Sequence, residues 1–404
     1  MPSELSVVMG IAPHGVRERK GGLVRFLHSS DWHLGIKRHY FAPEGQLRYS
    51  DDQIERIKTV ISIGKEKEAD FILIAGDVFD SNHIERAFLR RSLDALKSTV
   101  PIIILPGNHD ALTPDSVYFS STFKEFKPEN VSVLGIEGDS QKYITDNNLE
   151  MYSLFLEKVG VEIVGIPISY SDGIHNVVNI AAKSLPPDYK PRILIGHGQL
   201  DILSPNSDLP IAFELMKKCI DEGRFNYLAL GDHHSFKDIG KNGTIVYSGA
   251  FQATDIRDDE PGNIIFVDLE RFNMEKVDIS RWRFEEIAFE LMSNEDTNRF
   301  TDWLKTYGNK ERSIVKINLS GSVTVKESIG IDEVIGDEQS MFASLRVDNN
   351  LRIISDLNEL ESLELNGILL DVYNELKELV SQKDPEVARD AFKLFFRLVA
   401  SSDN

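Results

Sequence analysis

The sequence predicts an α/β protein with three parts: a main domain whose sheet is covered on both faces, a small α/β domain, and terminal helices. Three observations predict it. Short runs rich in Val, Ile and Leu recur from Val24 to about Leu269 without polar alternation, the pattern of strands buried on both sides. Stretches with helical periodicity separate these runs. After about residue 283 the texture changes, and the chain finishes in two helical stretches.

Taken in order, Val24–His28 reads as the first strand. Residues 49–68 read as an amphipathic helix with Ile54, Ile57, Val60, Ile61 and Ile63 on or near one face. Phe71–Ala75 is a strand of the fully buried type, residues 83–98 a second helix, and Ile102–Leu105 a third strand. Further strands are expected at Val131–Leu134, Glu162–Ile166, Ile193–Ile195, Tyr227–Leu230, Ile245–Tyr247 and Ile264–Val267. Beyond residue 283, Ser313–Leu319 and Leu351–Ile354 read as strands and 294–306 as a helix. Asn366–Ser381 and Pro385–Ala400 close the chain as helices, with Asp384 as N-cap and Pro385 in the first helical position. The last helix is apolar over more than half its circumference. It either packs on its own domain or docks on a partner. The resulting division is a flexible N-terminal extension at 1–22, a main domain at 23–283, a small α/β domain at 284–345 and a helical segment at 346–404.

Composition narrows the class. Hydrophobic residues make up 41% and charged residues 27%, the balance of an ordinary soluble globular protein. No apolar run reaches the ~18 residues of a membrane span, and the first 22 residues lack the apolar core of a secretory signal. The single cysteine, Cys219, excludes disulfide architecture within one chain and points to the cytoplasm. Its apolar helical surroundings make it core filler rather than a reactive thiol. A net charge of −20 argues against a generic basic nucleic-acid coat. It leaves room for a nuclease, because bound cations and a local basic strip can carry phosphate contacts.

Five polar clusters follow apolar strands: Asp31-Trp32-His33, Gly76-Asp77-Val78-Phe79-Asp80, Gly107-Asn108-His109-Asp110, Gly196-His197-Gly198 and Gly231-Asp232-His233-His234. In open α/β sheets ligands bind at the C-terminal strand ends, and glycines there permit close approach of the backbone. A lone Asp-x-His is usually a surface pair. Five clusters at successive strand ends point instead to a metal centre. Carboxylate, amide and imidazole donors suit first-row ions such as Mn²⁺, Fe²⁺ or Zn²⁺. Two ions ~3.5–4 Å apart need a bridging carboxylate. Asp77, at a central strand end with glycine before it, is the candidate bridge. Asp31, His33 and His234 would complete one ion, and Asn108, His197 and Asp232 the other. His109, beside a ligand without being one, is placed to protonate a departing oxygen. Asp110 would orient its ring. Lys37, Arg38 and His39 follow the first cluster and would meet a phosphate backbone, unless they are only a solvated loop.

The strings Phe-Leu-His-Ser-Ser-Asp-Trp-His-Leu-Gly (26–35), Gly-Asp-Val-Phe-Asp (76–80) and Leu-Pro-Gly-Asn-His-Asp (105–110) closely resemble the bacterial SbcD nucleases and their meiotic-recombination-eleven (Mre-eleven) relatives. These lie within the calcineurin-like metallophosphoesterases. The resemblance covers about 24–270. It implies a four-layer α/β/β/α sandwich and two divalent ions per chain, Mn²⁺ first, with Mg²⁺ or Fe²⁺ as alternatives. It also implies cleavage of DNA phosphodiesters in end processing, a capping domain at 284–345 that shapes DNA access, and homodimerisation. The C-terminal helices would dock on an SbcC-type (Rad-fifty-like) SMC-family ATPase. Localisation would be cytoplasmic, at the nucleoid if bacterial. A phosphoesterase of the same chemistry acting on a nucleotide or other small ester is the alternative. One departure stands out: the family's usual Gly-His-x-His is Gly-Asp-His-His here. Either Asp232 replaces the first histidine as ligand, or His233 turns inward and Asp232 does not ligate.

Overall fold

In the computed structural model the described residues are 24–41, 43–169, 176–188, 190–205, 210–271, 273–354 and 367–382, with positions 387, 391, 394, 395 and 398. The expected extension at 1–22 and the Asp384–Pro385 cap lie outside them. The chain opens with β1 (Arg25–Ser29), α1 (Pro43–Glu66), β2 (Phe71–Ala75), α2 (Arg86–Ala95), β3 (Ile102–Leu105), α3 (Ser121–Phe126) and β4 (Val131–Val133). There follow β5 (Gln141–Ile144), β6 (Glu150–Leu156), β7 (Val161–Gly165), α4 (Val177–Ser184), β8 (Arg192–His197), α5 (Phe213–Asp221), β9 (Tyr227–Gly231), β10 (Lys237–Ile239) and β11 (Ile245–Tyr247). Then β12 (Asn263–Asp268) and β13 (Asn273–Asp278) return to the first strands.

These strands form two sheets, ordered β13-β12-β1-β2-β3-β4 and β10-β11-β9-β8-β7-β6-β5. Strand alternation explains why they stack. Phe71, Leu73 and Ala75 of β2 face one way and meet Ile163, Ile193, Ile195 and Ala229 of the second sheet in a buried layer. Ile72 and Ile74 face the other way, onto Ile57, Val60 and Leu93 of α1 and α2. Leu194 and Leu228 likewise point outward to α4 and α5, where Cys219 is buried. The order is therefore helix, sheet, sheet, helix, the four layers the resemblance implied. A strand covered on both faces has no polar face, which is why β2, β3, β8 and β9 read as continuous apolar runs.

A third sheet lies beyond: β14 (Arg283–Leu291), α6 (Asn294–Thr306), β15 (Ser313–Thr324), α7 (Val325–Gln339), β16 (Ser344–Asn349) and β17 (Arg352–Ile354). All its pairings are parallel, β17 joining the far end of β15. It has its own core of Leu291, Phe300, Leu304, Ile317, Leu319 and Ile331. A Thr324–Glu327 capping box starts α7. The sheet runs to Ile354, past the boundary expected at 345. A small cluster of Ile36, Phe41, Tyr49, Trp282 and Ile314 packs it against the main body. There, Asp52 of α1 accepts from the Trp282 indole at 3.0 Å and from Arg312 at 2.7 Å.

The last described helix is α8 (Gly367–Gln382). Positions 387, 391, 394, 395 and 398 are also helical, and Phe395 is buried beside Tyr373. No helix among the described residues is long and apolar enough to cross a membrane.

Candidate metal centre

All five clusters arrive at one end of the two central sheets. Backbone geometry gathers them at a conformational cost. Asp31, His33, Asp77 and Asp232 have positive φ, at 52°, 43°, 53° and 84°, four of the nine such non-glycine residues described. Each costs about 1–3 kcal/mol, and concentration of that strain on one constellation marks a functional site. The turns are pinned from behind. The Asp31 amide donates to the Gly76 carbonyl at 3.1 Å and the His33 amide to the Asp77 carbonyl at 3.0 Å. Trp32 points inward, stacked on Phe251 with centroids 4.8 Å apart, its indole N–H on Ser29 Oγ at 2.7 Å. Two glycines make room for the ligands. A Cβ on Gly76 would stand 2.0 Å from His197 Nδ1, and one on Gly231 would stand 1.9 Å from the Ala75 carbonyl oxygen.

Three overlapping groups of ligand atoms result: Asp31, His33 and His234; His33, Asp77 and His109; and Asp31, Asp77 and His197, the atoms of each lying within 4.8 Å of one another. The expected grouping of Asp31, His33 and His234 is thus brought together. Asp31 as well as Asp77 reaches both His33 and His197, so the structure offers two shared carboxylates where the sequence suggested one.

The donor chemistry fits cations. His197 Nδ1 lies 2.9 Å from the Ala75 carbonyl, which can only accept, so Nδ1 carries the proton. Its Nε2 then faces Asn108 Oδ1 at 2.8 Å and Asp77 Oδ2 at 3.2 Å. A neutral ring would set its lone pair against the Asp77 oxygen, and a cation or a proton there relieves this. His234 repeats the arrangement. Its Nδ1 meets Thr254 Oγ1 at 2.8 Å and Asp258 at 3.4 Å, leaving Nε2 to face His33 Nε2 at 3.2 Å. Electrostatics agree. Burial opposes charge on His197, but Asp77, Asp31 and Asp232 hold its pKa well above the usual value. Burial likewise opposes ionisation of Asp77, yet His197, His33 and the His109 amide keep it well below the carboxylate range.

The fifth cluster places Asp232 Oδ1 3.9 Å from His197 Nε2, with the Asp232 amide donating to Asp31 at 3.0 Å. Asp232 belongs to none of the three tight groups. His233 turns away onto Tyr247, ring centroids 5.4 Å apart. The Tyr247 hydroxyl in turn donates to the Gly198 carbonyl and accepts from the Leu200 amide, both at 2.9 Å, steadying the loop after His197.

His109 is half-exposed at the rim, its Nδ1 donating to the Asp80 carbonyl at 2.8 Å. The expectation that Asp110 orients this ring is corrected. Asp110 is buried, and its oxygens accept from the Gly107 amide at 2.7 Å, the Phe79 amide at 3.1 Å and the Tyr118 hydroxyl at 2.7 Å. Burial, with Asp77 nearby, pushes its pKa up to about 6. Asp110 braces the turn, whereas Asp80 holds the imidazole. The physical reason is direction: adjacent side chains on a tight turn diverge. Of the three basic-loop candidates, Arg38 lines the cavity of about 590 Å³ over the centre, its guanidinium on the Thr254 carbonyl. Lys37 and His39 do not line it.

Sequence reasoning missed Thr254 and Asp258, which fix His234, and Gln199, whose amide holds the Asp232 carbonyl at 2.7 Å. Burial opposes ionisation of Asp258, but His234 and Thr254 bring its pKa down to about 2. The only available signal was a Thr and an Asp four residues apart in a loop, which says nothing of what they face.

Known proteins resemble this chain along most of its length. A profile described as calcineurin-like phosphoesterase matches residues 24–236. The DNA double-strand break repair protein Mre11 of Archaeoglobus fulgidus is 22% identical, over 88% of this chain and 81% of its own. The SbcD component of the nuclease SbcCD from Staphylococcus saprophyticus is 25% identical, over 56% of this chain and 60% of its own. Its Bacillus subtilis counterpart is 33% identical, over 24% of each chain.

Proposed function

This chain belongs to the calcineurin-like phosphoesterase family, and from that premise we propose that the phosphoesters it hydrolyses are the phosphodiesters of DNA, at ends under repair. The observation that carries the reading is the paired donor set, Asp31–His33–His234 beside Asp77–Asn108–His197–Asp232, of which His33, Asp232 and His234 line one cavity. A relative named as a DNA double-strand break repair protein, over 88% of this chain, and one named as a subunit of the nuclease SbcCD, over 56%, support DNA as substrate.

Two divalent ions, Mn²⁺ foremost, would supply charge to polarise the phosphoryl group and lower the pKa of an attacking water. The protein's own part is orientation. Ala75, Thr254 and Asp258 fix which nitrogen of His197 and His234 faces the centre. With Nδ1 committed to the Asp80 carbonyl, His109 keeps Nε2 for the leaving oxygen, to which a protonated ring donates. Arg38 at the cavity wall would meet a substrate phosphate.

The third sheet would cap the core and shape DNA access. The C-terminal helices would dock on an SbcC-type ATPase. Ile368, Leu369, Leu370 and Leu379 on α8, with Val387, Leu394 and Leu398 beyond it, are exposed apolar residues that a partner would cover.

The test is incubation with Mn²⁺ and labelled duplex, hairpin and single-stranded DNA, beside bis(p-nitrophenyl) phosphate. DNA cleavage is expected. His109→Ala should lower it ~10²–10⁴-fold while two ions remain bound. Loss should be smaller on the nitrophenyl ester, whose leaving group departs without a proton. Ester hydrolysis with no DNA cleavage would sink the nuclease reading and favour a small phosphoester, which the net charge of −20 also suits. Deleting 366–404 should abolish co-purification with the ATPase and leave the metal content unchanged.

A further inference from the structure

A second cavity, of about 530 Å³, opens where the main body meets the third sheet and is lined by Asp278, Ser280, Arg281, Arg283, Asn309 and Arg312. Three arginines line this one space in a chain of net charge −20, Arg283 also hydrogen-bonding the Tyr307 side chain. Their charge is only partly matched. Arg281 and Arg312 divide a single buried carboxylate, Asp52, at 3.4 and 2.7 Å. Arg312 also reaches Glu311 at 3.0 Å. Arg283 forms no ion pair among the described residues. Arg56 adds positive charge behind the wall, its guanidinium on the Ile279 carbonyl. The lining is held in shape: Asn309 donates to the Arg281 carbonyl at 3.1 Å and the Ser280 amide to Asp278 at 2.7 Å. Asp278 is the one acidic group in the lining.

Position says what the cavity is for. Strand β13 lies two strands from β1, and the pairings Arg25 with Asp268, His28 with Ile265 and Asn263 with Asp278 put Asp278 level with Ser30, beside the metal centre's end of the sheet. Two strand spacings are about 10 Å, so Asp278 lies within reach of a nucleic-acid strand that enters the metal centre. Guanidinium forks match phosphate oxygens in geometry and charge.

We propose that this cavity holds a backbone phosphate of the same polynucleotide strand that enters the metal centre, fixing its register a few nucleotides from the cut. The assignment rests on the DNA reading above. Contacts of this kind position the strand without reading its sequence.

The experiment measures binding of a short fluorescein-labelled single strand to the full chain by anisotropy, in a His109→Ala background so that the strand survives. Arg283→Glu should weaken binding about tenfold and flatten the salt dependence by about one counterion. Arg283→Lys should recover part of the affinity. Thermal melting and metal content of each variant show that the fold persists. Unchanged affinity and salt slope in Arg283→Glu would overturn the proposal. If DNA is nevertheless cleaved by the unmutated chain, only the cavity assignment falls. If DNA is neither bound nor cleaved, the nuclease reading falls with it. Protection of Arg283 by inorganic phosphate without any effect of the variant on DNA would mark a free-anion site, which also overturns the polynucleotide assignment.

Discussion

One half of the candidate metal centre, Asp31, His33 and His234, is braced from behind. The other, Asn108, His197 and Asp232, is braced at His197 and open at its flanks. His234 leans on Thr254 and Asp258, Asp31 accepts the Asp232 amide, and the His33 carbonyl accepts from Gln53 at 2.9 Å. On the other side His197 is tied to the Ala75 carbonyl, while Asn108 is exposed and Asp232 is partly so. The difference is one of preorganisation. Fixed rings and carboxylates bind an ion without first being ordered, so the first half should hold its ion more tightly and the second should exchange more readily.

The most severe way to break the comparison is to remove what both halves share. Asp77→Ala should lower the rate by more than the ~10²–10⁴-fold expected of a single proton donor, and metal analysis should show loss from both positions. Loss of one ion with the other held at full affinity would shift the bridging role to Asp31. Removing a brace discriminates more finely. Asp258→Ala should weaken the ion at His234 by ~10–100-fold and leave the second ion untouched, as read by competition with a metallochromic chelator. Equal weakening at both positions would mean that the halves are not independently built. At the open half, Asp232→Ala should weaken one ion by about tenfold, or ~1.4 kcal/mol, whereas His233→Ala should keep both. The reverse result would make His233 the ligand.

The smallest effect concerns His28, on β1 just before the first cluster. His28 is fully buried, with Nδ1 3.0 Å from the Tyr227 hydroxyl. Burial lowers its pKa to about 3. The folded chain therefore keeps this ring neutral while the unfolded chain takes up a proton below about pH 6.5. Its contribution is present above that pH and is lost as pH falls toward 3. Denaturant unfolding at pH 6 and 5 should show about 1 kcal/mol of this loss, and His28→Phe should remove that part of the slope.

How much was legible depended on burial and on direction. The strands β2, β3, β8 and β9 were readable because both faces are covered, so composition alone marked them. The edge strands β5 and β13 carry mostly exposed side chains, and β14 alternates because only one of its faces is covered. These three resemble loops in sequence and went unseen. The seven candidate ligands stood out in the sequence because turns at strand ends concentrate Asp, Asn, His and Gly in short strings. Their partners were not. Asp80 rather than Asp110 meets the His109 ring, and Thr254 and Asp258 reach His234 from a loop about twenty residues on.

By itself the sequence determined the layered α/β architecture, the donor types and the strand ends that carry them. Those follow from local periodicity and from side-chain chemistry, which neighbouring residues alone express. Only the tertiary structure decided which nitrogen of each imidazole faces the centre, that Asp31 and Asp77 are both shared, that His233 turns onto Tyr247, and that Arg281, Arg283 and Arg312 enclose one cavity. The reason is physical. Each of these depends on where a side chain points after two sheets have closed on a common core, and that direction is set by contacts between residues far apart in the chain.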